Sequence, residues 1–112
     1  MDGLVLEIGD SGKTVKVKTG ETFVVRLEEN PTTGYRWQPH NFDRAILALK
    51  SSSFAPGGDA PGSAGRRSFV FLAEHSGESP VTLWLWREWE GEKSILKRFE
   101  ATIEVHFQGL NL

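Results

Sequence analysis

Apolar and polar residues alternate along most of the chain. Segments 13–18 (KTVKVK), 23–28 (FVVRLE), 68–73 (SFVFLA), 81–86 (VTLWLW) and 101–107 (ATIEVHF) each repeat with a period of two, the spacing of strands with one buried face. Turn-forming clusters separate them: GDSG, KTGE, NPTTG, PGGDAPGSAG, HSGE and EGEK. The pattern predicts an all-β protein, an immunoglobulin-like antiparallel β-sandwich of about seven or eight strands. A closed barrel is the alternative architecture.

Two stretches need a closer reading. FDRAILALK, residues 42–50, has apolar positions that would line a short helix face, but 46–53 reads equally well as a strand. A turn over 43–45 followed by a strand is the expectation. In 81–86, Val81, Leu83 and Leu85 share one face and Thr82, Trp84 and Trp86 the other. The aliphatic face points to the core. The two tryptophans on the other face need either cover from a neighbouring strand or a binding role. Residues 55–65, rich in glycine, proline and alanine, form neither pattern and are expected to be a long loop.

At 112 residues the chain fits a single domain, 1–112, with a core region of about 13–107. The 13 basic and 15 acidic side chains give a net charge of -2 without any block of one sign. Electrostatic capture of nucleic acid or of an anionic membrane is therefore not expected. No cysteine is present, which excludes disulfides, thiolate metal sites and a cysteine nucleophile. No apolar run approaches the roughly 20 residues of a membrane helix. The first residues, MDGLVLEIGDSG, lack the basic and apolar regions of a secretory signal. The chain as written reads as cytoplasmic, or as periplasmic or secreted if a signal has been removed.

Catalytic chemistry is not apparent. His40, His75 and His106 are far apart and show no metal-ligand spacing. There is no nucleophile elbow, P-loop or dinucleotide fingerprint. Glu88, Glu90 and Glu92 read as a solvated turn rather than an acid–base pair. No catalytic residue, metal or cofactor is expected.

The most distinctive segment is NPTTGYRW, residues 30–37. Asn30 can bond nearby backbone and start a turn. Pro31 fixes its own φ and restricts Asn30. Gly34 can adopt positive φ. Tyr35 and Trp37 share one strand face and can anchor the loop base. The result is a stiff loop with Thr32 and Thr33 at its tip, which loses little entropy on binding. By itself this pattern fits an ordinary tight loop between strands better than a binding loop.

NPTTGYRW resembles the first inhibitory loop of the chagasin family, NPTTGY or NPTTGF followed by x-W, and matches it throughout. A second family motif, usually GxGG, falls on Gly62, Ser63, Ala64 and Gly65, with Ala64 standing where glycine is usual. A third, usually RPW, falls on Arg87, Glu88 and Trp89, with Glu88 replacing the proline. Order and spacing agree from about 13 to 107.

The resemblance implies a non-enzymatic, reversible inhibitor of papain-like cysteine proteases, with the three loops gathered at one end of the sandwich. Asn30, Pro31, Thr32, Thr33 and Gly34 would enter the catalytic groove, with the two threonines nearest the protease cysteine and histidine, and Tyr35 would complete the protease-binding set of this loop. The 62–65 loop would run along the non-primed side, and Arg87 and Trp89 along the primed side. Ala64 disfavours positive φ in the second loop. Glu88 removes a constraint from the third and adds charge. The expected partner is a papain-like cysteine protease, with no nucleic acid or membrane, and the expected state is a monomer. The competing reading is a non-inhibitory module that binds carbohydrate or peptide on Tyr35, Trp84, Trp86 and Trp89.

Overall fold

The alternating segments become two four-stranded sheets. The computed structural model describes residues 3–58 and 63–109. Its strands are β1 (Leu4–Leu6), β2 (Thr14–Lys18), β3 (Thr22–Glu29), β4 (Arg36–Phe42), β5 (Leu47–Ala55), β6 (Gly65–Ala73), β7 (Gly77–Trp86) and β8 (Lys97–His106). Short 3-10 turns occupy Ile8–Asp10, Pro31–Thr33, Glu88–Glu90 and Glu92–Ser94. One sheet has the order β1-β3-β6-β5 and the other β2-β8-β7-β4. The sandwich forms, and the barrel does not.

Four of the strand pairs are antiparallel: β3–β6, β5–β6, β4–β7 and β7–β8. The two N-terminal strands depart from that expectation. β1 lies parallel to β3, and β2 parallel to β8. Parallel neighbours need a crossover between them. For β1 and β3 the other sheet supplies it, because the chain crosses to run as β2 before returning to lie beside β1.

Period-two alternation places the core between the sheets. Phe23, Val25 and Leu27 of β3 lie beside Phe69, Phe71 and Ala73 of β6 on the inner face of one sheet, and are buried with the inward rows of β7 and β8 of the other. Phe71 is the hub. It stacks on Phe23 with ring centroids 5.3 Å apart, and Phe42 meets it edge-on at 5.3 Å. Burying each such side chain stabilises the fold by about 1.5–3 kcal/mol.

The ambiguous 42–50 segment resolves into a turn and a strand. Asp43 Oδ1 accepts from Ala45 N–H at 2.9 Å. The Asp43 carbonyl accepts from Ile46 and Leu47 N–H at 3.0 and 2.9 Å. Leu47, buried, then begins β5.

The outward tryptophans of β7 are covered by their neighbouring strand. The His40 ring on β4 stacks on Trp84 with centroids 3.5 Å apart, and Trp84 is buried. Trp86, half-buried, donates its indole N–H to Gln38 Oε1 at 2.9 Å. The bulge beside Pro39 brings His40 into this position.

Candidate functional site

The first loop is built by local bonding. Asn30 caps the turn over Pro31–Thr33, and its Oδ1 accepts from the Thr32 backbone N–H at 3.0 Å and the Thr32 hydroxyl at 2.8 Å. Thr33 Oγ1 donates to the Asn30 carbonyl at 2.9 Å and accepts from Tyr35 N–H at 3.3 Å. Pro31 stands at the first helical position, where a missing N–H costs nothing. Gly34 ends the turn at φ 81°, a left-handed conformation that glycine adopts without steric cost. Every side chain of the tip is thus either bonded within the loop or exposed.

The base of this loop is locked into the core. Trp37 is buried, and its indole N–H donates to the Glu28 carbonyl at 2.9 Å. Its backbone N–H donates to Glu29 Oε1 at 2.7 Å. Tyr35 is half-buried against the core and also lies beneath the Arg87 guanidinium, 4.3 Å from the ring centroid.

The third loop follows β7 as two consecutive 3-10 turns. Arg87 begins it in an extended conformation and turns back to the first loop. Its Nη2 and Nε donate to the Thr33 carbonyl at 3.0 and 3.3 Å. Glu90 pairs with its Nη1 at 3.3 Å. Glu88 carries no proline constraint, but a buried serine holds this loop instead. The Ser94 hydroxyl accepts from Arg87 N–H at 3.0 Å and reaches the Gly91 carbonyl at 2.7 Å. Trp89 is 71% exposed. A Cβ added at Gly34 would lie only 3.1 Å from the Trp89 ring, so the first and third loops touch.

The second loop joins β5 to β6. Ser63, Ala64 and Gly65 lie at its return leg, and Gly62 falls outside the described residues. The two legs are packed too closely for side chains at two positions. A Cβ at Gly57 would overlap the Ala64 carbonyl, and one at Gly65 the Ala55 carbonyl and the Phe54 ring. Gly65 is therefore buried as part of the loop's own base. Among the described residues, positive φ occurs only at glycines. Ala64 accordingly fits without the strain its Cβ would cause there.

The described parts of all three loops converge on one end of the sandwich. Glu29, Asn30, Thr33, Tyr35 and Ala64 border one surface depression. A second, of about 170 Å³, lies between Gly34, Arg36, Gln38, Trp86, Glu88 and Trp89. Thr32, Thr33, Ala64, Glu88 and Trp89 are exposed there, whereas Tyr35 and Arg87 are partly used in holding the loops together. Three residues absent from the motif reading complete the base: Glu29, Arg67 and Ser94. Glu29 carried a signal, because it occupies an inward position of an otherwise apolar row. Among the described residues no group of three or more histidines and carboxylates is placed to hold a metal.

An all-β sandwich with its candidate binding surface on three loops at one end defines a class of loop-presenting proteins. The chain belongs to the chagasin family of peptidase inhibitors: the model described as chagasin family peptidase inhibitor I42 matches residues 16–103, which include all three loops. Chagasin of Trypanosoma cruzi is 25% identical over 101 residues, covering 86% of this chain and 92% of chagasin. Among solved structures, the cysteine protease inhibitor EhICP2 of Entamoeba histolytica superposes with a TM-score of 0.84 at 18% identity, over 92% of this chain and 95% of that one. Amebosin gives 0.75 at 24% identity, over 95% of this chain and all of that one. PbICP-C, solved in complex with falcipain-2, gives 0.63 at 19% identity, over 95% of this chain and all of that one. As a member of this family the protein is an inhibitor rather than an enzyme.

Proposed function

We propose that this protein reversibly inhibits papain-like cysteine proteases by filling the catalytic groove with its three-loop end. The observation that carries this reading is the bond between loops: Arg87 donates twice to the Thr33 carbonyl, making the first and third loops one preformed surface. A preformed surface keeps ordering costs low, and an interface of about 1,600 Å² then suffices for tight binding. The relatives support the target class, since EhICP2 is a cysteine protease inhibitor and PbICP-C was solved bound to falcipain-2.

In this reading Thr32 and Thr33 enter the groove beside the protease cysteine and histidine. Their small side chains suit a narrow cleft. The return leg of the second loop, at Ser63 and Ala64, pairs with protease backbone on the non-primed side. Trp89 lies on the primed side, where an indole stacks on aromatic side chains.

The same bonds make the first loop a poor substrate. A peptide is cut when it lies extended with its carbonyl free to meet an oxyanion hole. Pro31–Thr33 is instead a 3-10 turn closed by Asn30, and the Thr33 carbonyl already accepts from Arg87. Inhibition is therefore by occlusion, with no covalent bond and no cofactor.

A carbohydrate- or peptide-binding platform is not favoured. Trp84 is buried under His40, and the Trp86 N–H is taken by Gln38, which leaves Trp89 as the exposed indole. Titration of papain with the protein and with a Thr32→Arg variant tests the proposal. A bulky cation at the tip should abolish inhibition, and an unchanged inhibition constant would remove the first loop from the groove.

A further inference from the structure

We infer that Glu29 and Arg67 are positioning residues, a buried ion pair that sets the second inhibitory loop against the first. The inference rests on the inhibitor reading above. On β3 the inward positions are Phe23, Val25, Leu27 and then Glu29, a carboxylate only 2% exposed. Its Oε2 accepts from Arg67 Nη2 at 2.7 Å and Nε at 3.2 Å. Its Oε1 accepts from Trp37 N–H at 2.7 Å.

Arg67 is placed to connect the legs of both loops. In the ladder it stands between Leu27 on β3 and Phe54 on β5. Its guanidinium lies over the Phe54 ring, 5.2 Å from the centroid. β3 leads into the first loop, while β5 and β6 are the two legs of the second. Through Glu29 the cluster also reaches β4, the leg leaving the first loop on the opposite sheet. One bonded group thus ties four strands at the loop end of the sandwich. The close approach at Gly65, opposite Glu29, packs Phe54 against this cluster.

Stability alone does not account for an ion pair here. Well-packed apolar residues of similar volume stabilise a buried site as well as an ion pair or better. They cannot accept the Trp37 N–H, and they slide where a bidentate fork fixes direction. The pair's contribution is therefore the relative geometry of the loops, which no single loop motif encodes.

The test compares wild type with Glu29→Gln/Arg67→Met, a change that keeps volume and an acceptor for the Trp37 N–H, and with Arg67→Lys. Amide hydrogen exchange of the free protein, melting temperature and papain inhibition are measured for each. In the double variant the expected result is a melting temperature close to wild type. Exchange should be about tenfold faster at Trp37 and across 63–67, and the inhibition constant at least about tenfold weaker, chiefly through dissociation. Arg67→Lys should fall between the two. Wild-type exchange, or a wild-type inhibition constant, in the double variant would overturn the inference. Should wild type itself not inhibit papain, the functional reading fails, and the exchange comparison alone then decides whether the pair positions the loops.

Discussion

Arg87 and Thr33, on different loops and 54 positions apart in sequence, are joined by two hydrogen bonds from one guanidinium to one carbonyl. The same guanidinium lies over Tyr35. An arginine at the foot of the third loop is thus less a free contact for a partner than the brace that gives the first and third loops a common shape. Lysine cannot supply both the fork and the stacking plane. Arg87→Lys should therefore weaken papain inhibition by about 1–2 kcal/mol while leaving the melting temperature nearly unchanged, since the site is at the surface. Equal inhibition by the lysine variant would show that the brace is not needed.

Trp89 makes the opposite case. It is the most exposed tryptophan, and the edge of its ring lies beside Gly34. Trp89→Ala should cost about 1–3 kcal/mol of binding energy without measurable loss of fold stability. Parallel urea unfolding and inhibition titrations check both halves of the statement.

Trp37 carries stability rather than contact. It is 3% exposed and hydrogen-bonded through both its indole and its backbone. Trp37→Ala should destabilise the domain by about 3–5 kcal/mol, read as a lower urea midpoint with an unchanged slope. A loss as small as that of Trp89→Ala would contradict the division between tip and base.

Gly34 links the two. Its φ of 81° disfavours any side chain, by about 1–2 kcal/mol for alanine. The new Cβ would also press on the Trp89 ring at 3.1 Å. Gly34→Ala should therefore lose more in papain affinity than in unfolding free energy, because it moves both loops at their contact. Equal losses would mean that the strain stays within the first loop.

Asp10 offers a control remote from the loops in sequence. Its carboxyl titrates below the usual range, chiefly because it accepts the Glu7 backbone N–H and also because it pairs with Lys13. A depressed folded pKa adds stability above the unfolded value and loses it as pH falls through the folded one. Asp10→Asn should lower the melting temperature slightly at neutral pH and match wild type in strong acid. Papain inhibition should not change.

The fold was largely legible because alternation is a local signal. The inward rows of β6, β7 and β8 sit where the period of two puts them, and the 43–45 turn follows from Asp43. The parallel placement of β1 and β2 was not legible, because which strand lies beside which depends on crossovers that no short window contains. Cover for Trp84 was undecidable for a similar reason: it comes from His40 across the ladder, brought there by a bulge. At the site, the three motifs contain the exposed Thr32, Thr33, Ala64, Glu88 and Trp89, but also Gly65 and Arg87, which shape the loops from within. The bracing by Arg87, and the Glu29–Arg67 pair beneath, join residues 54 and 38 positions apart. Only the pair was hinted at, by the polar residue in the apolar row of β3.

The most direct measurement is the residual activity of papain, and of a cathepsin-L-like enzyme, titrated with the intact protein. Inhibition by occlusion predicts reversible, competitive loss of activity approaching one inhibitor per active site, with the inhibitor recovered uncut after long incubation. Full protease activity at a large molar excess, or steady cleavage within 30–34, would contradict it.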